Sequence, residues 1–165
     1  MISIPDFDIR YTAMEDLPYL QEWFQDPKAC DDFPFGPAEK EEALKNWIGF
    51  SKFKASLTGT INDVPCAIGT LFLMPYKKVA HNCSLFLIVD PKHRRKGVGT
   101  SMIRNLLNLA KTRFRLEGVY VELYEPSELI PLLGKLGFHE IVRQENFVKI
   151  DGRLRPRVIW EHMFQ

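Results

Sequence analysis

The chain has 165 residues, of which 45% are hydrophobic and 26% are charged. These proportions exclude a mainly disordered chain, which would lack so many aromatic and branched apolar residues. Lys and Arg number 22 against 21 Asp and Glu, so the formal net charge is +1. A domain devoted to nucleic acid would usually be more basic. The length suits one domain spanning residues 1–165.

The cysteines and the absence of hydrophobic targeting segments point to a reducing compartment. The three cysteines, Cys30, Cys66 and Cys83, are too few and too scattered for a disulfide framework. Residues 1–6 lack the basic start and apolar run of a secretory signal. The longest fully apolar run, 85–89, is far too short to cross a bilayer. We therefore expect a cytoplasmic protein.

Apolar periodicity and turn residues predict alternating strands and helices. Thr12 and Glu15 have capping-box spacing at the start of the first helix, and Pro37 suits the first turn of the second. The predicted elements, in chain order, are a strand at 7–13, helices ending near 24 and spanning 37–50, strands at 55–61, 65–74 and 80–90, a helix at 99–112, a strand at 119–124, a short helix at 127–136, and strands at 139–150 and 156–164. Residues 25–37 are predicted as a loop. This order predicts an α/β fold with a mixed, mostly antiparallel sheet of about seven strands and about four helices.

The segment 85–100 carries the clearest chemical signal. An apolar strand stops at Asp90-Pro91, a basic glycine-containing turn follows, and an amphipathic helix begins near Gly99. The first N–H groups of a helix lack partners and carry partial positive charge, so this arrangement favours an anion. Gly97 and Gly99 allow close approach of a phosphate, and the spacing fits neither a P-loop nor a Rossmann fingerprint. Taken alone, the basic run 92–96 is equally compatible with a solvated turn or a nucleic-acid patch.

Two motifs together resemble the GCN5-related N-acetyltransferases, the GNAT family. Arg94-x-x-Gly97-x-Gly99, which follows the strand end Val89-Asp90-Pro91, is similar to the family's pyrophosphate-binding signature. The segment 132–138 is similar to the family's Leu-Tyr-x-Lys-x-Gly-Phe run, with matches at Leu132, Lys135, Gly137 and Phe138. The predicted element order is also that of the family, so the resemblance extends over nearly the whole chain.

The resemblance implies a GNAT-like domain in which two central strands, about 83–89 and 119–124, splay apart to admit pantetheine. It implies acetyl-CoA as cosubstrate and no metal. Backbone at Leu87 and Val89 would hold the pantetheine arm, and the turn and first helical residues would hold the pyrophosphate. The cofactor-binding residues expected on this basis are Leu87, Val89, Arg94, Arg95, Lys96, Gly97, Val98, Gly99 and Thr100.

The usual acid and base of the family are missing from their positions. Leu133 stands where the family has its proton-donating Tyr, and Ser84 stands where many members have a Glu base. The remaining candidates for acid–base work are His81, Glu122 and Tyr124, at the strands that would flank the thioester. The sequence therefore leaves the catalytic residues unassigned.

Negative charge suggests where the acceptor binds. In the family, the loop between the first two helices lines the acceptor site, and here it contains Asp31 and Asp32. Two carboxylates there would attract a cationic amine. The acids further on, at 39–42, are explained by the first turn of the second helix.

The leading hypothesis is an N-acetyltransferase that moves an acetyl group from acetyl-CoA to a primary amine of a small molecule or protein. The alternative, motivated by Leu133 and Ser84, is a catalytically silent CoA-binding module. A third interpretation, a nucleic-acid-binding domain using the run 92–96, is disfavoured by the near-neutral charge. We expect acetyl-CoA and an amine as partners, without nucleic acid or membrane, and the sequence is compatible with a homodimer.

Overall fold

A seven-stranded sheet is the framework of the protein. The computed structural model describes residues 4–165. Residues 1–3, which belong to the predicted domain and to the amino-terminal segment considered as a signal sequence, lie outside the described residues. The sheet has the order β1-β2-β3-β4-β5-β7-β6, and only β4 and β5 run parallel. The prediction of a mixed, mostly antiparallel α/β fold is confirmed. The strands are β1 (Phe7–Tyr11), β2 (Ser56–Ile61), β3 (Val64–Leu73), β4 (Asn82–Val89), β5 (Gly118–Tyr124), β6 (His139–Ile150) and β7 (Arg153–Met163).

Four α-helices in the described chain cover the two faces of this sheet. α3 and α4 pack on one face, which we call the α3 side, and bury Met102, Leu106 and Leu133 among strand residues. α1 and α2 pack on the opposite face, the α1 side, with Leu20 and Trp47. The buried residues of α3 recur every three or four positions, as an amphipathic helix requires. The helices are α1 (Leu17–Trp23), α2 (Lys40–Gly49), α3 (Val98–Thr112) and α4 (Leu129–Lys135).

Aromatic rings fill the core on the α1 side. Phe33 contacts Phe24, Trp47 and Phe86 with ring centroids 5.3–5.5 Å apart and tilted planes. Such inclined contacts are favourable between aromatic quadrupoles. The indole N–H of Trp47 donates to the hydroxyl of Thr70 at 2.7 Å, so the polar atom of this buried ring is satisfied. The cluster fixes the segment around Phe33 onto β4.

The segment between α1 and α2 is more ordered than the sequence predicts. Residues Pro27–Asp32, predicted as loop, form a 3-10 helix, and the Asp26 carboxylate caps it by accepting from the Lys28 N–H at 3.0 Å. α2 starts at Lys40 rather than at 37, because the three residues before it form a turn. Similarly, β4 starts at 82 rather than 80, and β7 starts at 153 rather than 156. α2 and β4 start late because turn or 3-10 residues precede them, whereas β7 starts early because its pairing with β6 reaches back to Arg153.

The predicted capping box of Thr12 and Glu15 is wrong by one residue. The Asp16 carboxylate, not Glu15, reaches back to accept from a backbone N–H, that of Ala13, at 3.0 Å. Thr12 is buried, and its hydroxyl oxygen lies 2.9 Å from that of Thr58, within hydrogen-bond distance. The Thr12 side chain therefore contacts Thr58 of β2, which lies 46 positions away in the sequence. Local spacing cannot reveal such a contact.

Asp16 is the centre of a buried polar network beneath α1. Its side chain is 4% exposed and accepts two bonds from the Arg10 guanidinium, both at 2.8 Å. Thr58 donates a further bond at 3.0 Å. Burial by itself would raise the pKa of Asp16, but the bonds from Arg10, Ala13 and Thr58 outweigh it and hold the pKa below its ordinary value. The ionised form of Asp16 therefore stabilises the fold.

Asp16→Asn should lower the free energy of unfolding by about 2 kcal/mol at pH 7, because Arg10 and Thr58 lose a charged acceptor. In the wild type this contribution is present above the unfolded pKa of about 3.9 and is lost as the pH falls through the lower folded pKa. Urea unfolding at pH 7 and pH 3 measures it. Asp8→Asn, at an exposed position of β1, is the control, and equal pH dependence of Asp16→Asn and wild type would contradict the prediction.

Candidate active-site cleft

The two parallel strands at the centre of the sheet separate after a short paired region. β4 and β5 are in register only from Asn82 and Gly118 to Ser84 and Tyr120. Beyond Ser84, a cleft of about 740 Å³ opens between residues 85–89 of β4 and residues 121–123 of β5. The predicted splay of the central strands is confirmed, and the β5-facing edge of β4 is left without strand pairing.

Residues from both sides of the sheet line the cleft, because successive side chains of a strand point to opposite faces. Leu87 and Val89 pack toward the α3 side, where α3 and α4 supply Gly99 and Leu132. Phe86 belongs to the aromatic core of the α1 side. The residues that line the α1-side half of the cleft are Ala29, Asp32, Phe33, Pro34, Phe86, Ile88 and Glu122.

A tightly turned basic loop precedes α3 at the rim of the cleft. The Asp90 carboxylate accepts from the Lys92 N–H at 3.0 Å and thereby ends β4 in a turn. Arg95 and Gly97 both adopt left-handed backbone conformations, with φ of 61° and 88°. The Arg94 side chain folds back, and its Nε donates to the Val89 carbonyl at 3.2 Å. The loop therefore brings the amino-terminal end of α3 to the cleft.

Gly99 and His93 give this rim the properties of a ligand cradle. A Cβ at Gly99 would lie 3.3 Å from a Leu132 methyl and 3.9 Å from a Leu87 methyl, so the missing side chain leaves room for a close backbone contact. His93 also lines the cleft, and its Nδ1 is buried with no hydrogen-bond partner among the described residues. A buried polar atom without a partner calls for an explanation such as strain, a bound water or a functional role. Sequence analysis missed His93, although it lies within the motif segment.

Family comparison identifies the architecture around this cleft. The sequence matches the profile of the acetyltransferase (GNAT) family over residues 17–138. The chain belongs to the GNAT family. No curated protein matches the sequence.

Solved structures with low sequence identity share the GNAT fold with this chain. The GNAT-family acetyltransferase of Streptococcus pneumoniae is 16% identical, with a TM-score of 0.82 over 96% of this chain and 99% of that one. YncA of Salmonella typhimurium, solved with its cofactor acetyl-CoA, is 14% identical, with a TM-score of 0.83 over 97% and 95%. The ribosomal-protein-S18-alanine N-acetyltransferase of Escherichia coli is 19% identical, with a TM-score of 0.72 over 95% and 93%.

The cleft of this GNAT protein brings together most of the predicted site residues. Those lining it are Leu87, Val89, Arg94, Arg95, Gly97, Gly99, Thr100, Glu122 and Asp32. Those outside its lining are Lys96, Val98, His81, Tyr124 and Asp31. Val98 is buried in the core as the first residue of α3, so only its backbone faces the rim. His81 precedes β4, about 13 Å along the strand from the start of the cleft.

Glu122 is held by an ion pair that sequence analysis did not find. The Arg157 Nε donates to the Glu122 carboxylate, and another guanidinium nitrogen donates to the Gln144 side-chain oxygen at 2.7 Å. The Arg157 guanidinium also lies 4.5 Å from the ring centroid of Phe147. Tyr124, two residues after Glu122, is 3% exposed, and burial raises the pKa of its hydroxyl. The Glu122 charge is therefore balanced within the protein.

The two acidic residues predicted for the acceptor occupy different positions at the end of the 3-10 helix. Asp32 lines the cleft, whereas Asp31 does not. Asp32 is accessible at the mouth, yet the cleft wall removes enough water to raise the pKa of its carboxyl, an effect that Arg155 and Arg94 partly offset. Asp31 adds a repulsive charge that also raises this pKa. Asp32 can therefore contact a molecule in the cleft, whereas Asp31, which carries the same charge, lies outside the cleft lining.

Leu133 does not face the cleft. It is fully buried in the α3-side core, so neither its side chain nor its position contributes a proton donor to the cleft wall.

Among residues 4–165, no group of His, Cys, Asp or Glu is arranged to hold a metal ion. Within the same residues, no helix is sufficiently long and apolar to pass through a membrane.

Arg155 fixes the backbone at the end of β5, beside the cleft. Its guanidinium donates to the backbone oxygens of Glu125 at 2.6 Å, and of Tyr124 and Pro126 at 3.1 Å each. The alternation of Arg153, Arg155 and Arg157 in the sequence is the signal that could have placed these cations on one face of β7.

Arg155→Lys should lower the free energy of unfolding by about 1–2 kcal/mol, because one ammonium cannot reproduce the forked contacts to three carbonyls. Arg153→Lys is the matched control, since Arg153 is exposed and makes no side-chain hydrogen bond in the described part of the chain. Urea unfolding measures both variants. Equal stability of the two would show that the Arg155 contacts contribute nothing measurable.

Proposed function

We propose that this GNAT protein transfers an acetyl group from acetyl-CoA to a primary amine. The observation that carries the proposal is the cleft between β4 and β5, which is lined by residues from both faces of the sheet. A thioester reaching the gap from the α3 side and an amine reaching it from the α1 side would meet without competing for space. Proximity of the two reactants is the main catalytic requirement of such a transfer.

The α3 side has the groups that a CoA pyrophosphate needs. The free N–H groups at the start of α3, from Val98 to Thr100, form an anion site at the helix terminus. Gly97 and Gly99 keep the approach to these groups open, and Arg94 and Arg95 add positive charge at the rim. Leu87 and Val89 would contact the pantetheine arm.

Direct attack by the amine fits the residues present better than an acetylated enzyme. A bound thioester supplies an activated carbonyl carbon; the neutral amine forms the C–N bond, the C–S bond breaks with its electron pair on sulfur, and the proton lost by nitrogen balances the thiolate. Cys66 and Cys83 are buried outside the cleft, and burial raises their pKa values to about 11 and about 12. These thiols would be poor nucleophiles near neutral pH.

Cys30, Cys66 and Cys83 form no disulfide bond, which supports the expected cytoplasmic location.

Gly99→Glu should abolish the rise in melting temperature that acetyl-CoA produces, because the new carboxylate would occupy and repel the pyrophosphate position. Saturation at 100 times Kd stabilises a wild-type protein by about 2.7 kcal/mol, which thermal unfolding readily detects. Gly49→Glu is the matched control, since a Cβ at Gly49 meets nothing within 4 Å.

The control should retain the full acetyl-CoA shift. A folded Gly99→Glu variant with an unchanged shift would overturn the assignment of the α3 terminus to the cofactor. Loss of the shift in both variants would point to a general effect of added charge and would likewise count against the assignment.

Wild-type protein should release free thiol from acetyl-CoA faster in the presence of a primary amine than in its absence. A screen with 2-phenylethylamine, spermidine and a peptide with a free amino terminus, followed by mass detection of the amide, measures this directly. Acetyl-CoA binding without amine-dependent release across the screen would contradict the transferase proposal and favour the silent CoA-binding module.

A further inference from the structure

The α1-side half of the cleft has an apolar wall of aromatic and ring side chains. Phe33 and Pro34 follow the 3-10 helix directly, and Phe86 extends from β4 toward them. The rings of Phe33 and Phe86 lie 5.5 Å apart and are anchored by Trp47 on their buried side. This packing holds the wall in place before any ligand arrives. A surface of this kind accepts a compact apolar or aromatic group.

Only one carboxylate of this cleft is left without a partner in the described structure. Glu122 is paired with Arg157, and Glu128 with Arg95 at 3.1 Å. Asp32 has neither a hydrogen bond nor an ion pair with another side chain. Its carboxylate therefore adds a single unpaired negative charge beside the aromatic wall.

We propose that the acceptor is a monoamine carrying a compact apolar or aromatic group, with its ammonium bound by Asp32 and its apolar part held by Phe33 and Phe86. This inference rests on the proposed acetyl transfer and names its substrate class. Asp32 pairs with the ammonium on binding and again with the positive charge that the nitrogen regains as the C–N bond forms, so its removal raises KM with little change in kcat.

The same charges disfavour a polyamine. A second ammonium would need a second free carboxylate, but Glu122 and Glu128 are already neutralised by arginines. Arg155 and Arg94 are near enough to Asp32 to influence its carboxyl and would repel additional positive charge. A monoamine with an apolar group therefore matches the single free carboxylate and the aromatic wall, whereas a polyamine does not.

Asp32→Asn should raise KM for 2-phenylethylamine about tenfold and leave KM for acetyl-CoA unchanged, because only the amine loses a charge partner. Asp31→Asn is the matched control: it removes the same charge one residue away, at a position that does not line the cleft. Phe33→Leu should raise the same KM severalfold, while Phe35→Leu, which alters a ring stacked on Phe33 but not lining the cleft, should change it less.

Binding without turnover separates this inference from the proposed reaction. In the presence of CoA, 2-phenylethylamine should raise the melting temperature of the wild type and of Asp31→Asn, but not of Asp32→Asn. The neutral analogue 2-phenylethanol should bind wild type and Asp32→Asn equally. Amine binding that depends on Asp32 but gives no amide would retain the inference and refute the reaction.

Three outcomes would overturn the inference while leaving acetyl transfer intact. The first is a higher kcat/KM for spermidine than for 2-phenylethylamine. The second is an equal effect of Asp31→Asn and Asp32→Asn on KM for the amine. The third is an unchanged KM in Asp32→Asn with normal thermal stability.

Discussion

The early end of pairing between β4 and β5 is the constraint on which the candidate site depends. Each strand remains hydrogen-bonded on its other edge: β4 stays in register with β3 as far as Val89, and β5 stays in register with β7 as far as Tyr124. The two walls are therefore fixed by the outer halves of the sheet, and the gap between them exists without a ligand. Backbone groups on the unpaired edge of β4 must find partners in solvent or in a bound molecule. A preformed cleft of this kind avoids the ordering cost that a flexible site would incur on binding.

Ion pairs within the cleft leave few of its charged side chains without a partner among the described residues. Arg95 reaches across the mouth to Glu128, and Arg157 binds Glu122 behind the α1-side wall. The Arg95 pair is exposed and contributes little to stability, so it can exchange partners when an anion arrives at the start of α3. The Arg157 pair is less exposed and is supported by Gln144. This pattern leaves cationic groups available on the α3 side and Asp32 available on the α1 side, which is the polarity that a phosphate-bearing donor and an amine acceptor require.

The sequence predicts the parts of the structure that depend on neighbours along the chain. Gly97, Gly99 and the helix after them form a local unit that the spacing predicts, and the resemblance to the GNAT family implied its place beside the splayed strands. Thr12 was misassigned because its hydroxyl bonds to Thr58, and Glu122 seemed free because its partner Arg157 lies 35 positions later. Spacing also could not separate Asp31 from Asp32. The 3-10 helix that turns Asp32 to the cleft is set by packing of the following ring on α2 and β4.

Leu133 in place of a proton donor does not by itself argue for a silent protein. An ordinary thiol has a pKa of about 8.5 and a primary amine of about 10.4. At pH 7 net protonation of a departing thiolate from the solution is therefore favourable, whereas removing a proton from the ammonium costs roughly 3 pKa units, or about 4–5 kcal/mol. In the proposed reaction the larger demand falls on the amine, which would bind and lose its proton at the α1-side half of the cleft, whereas Leu133 lies in the core of the opposite side. The lack of a proton donor at Leu133 therefore affects the easier of the two proton transfers.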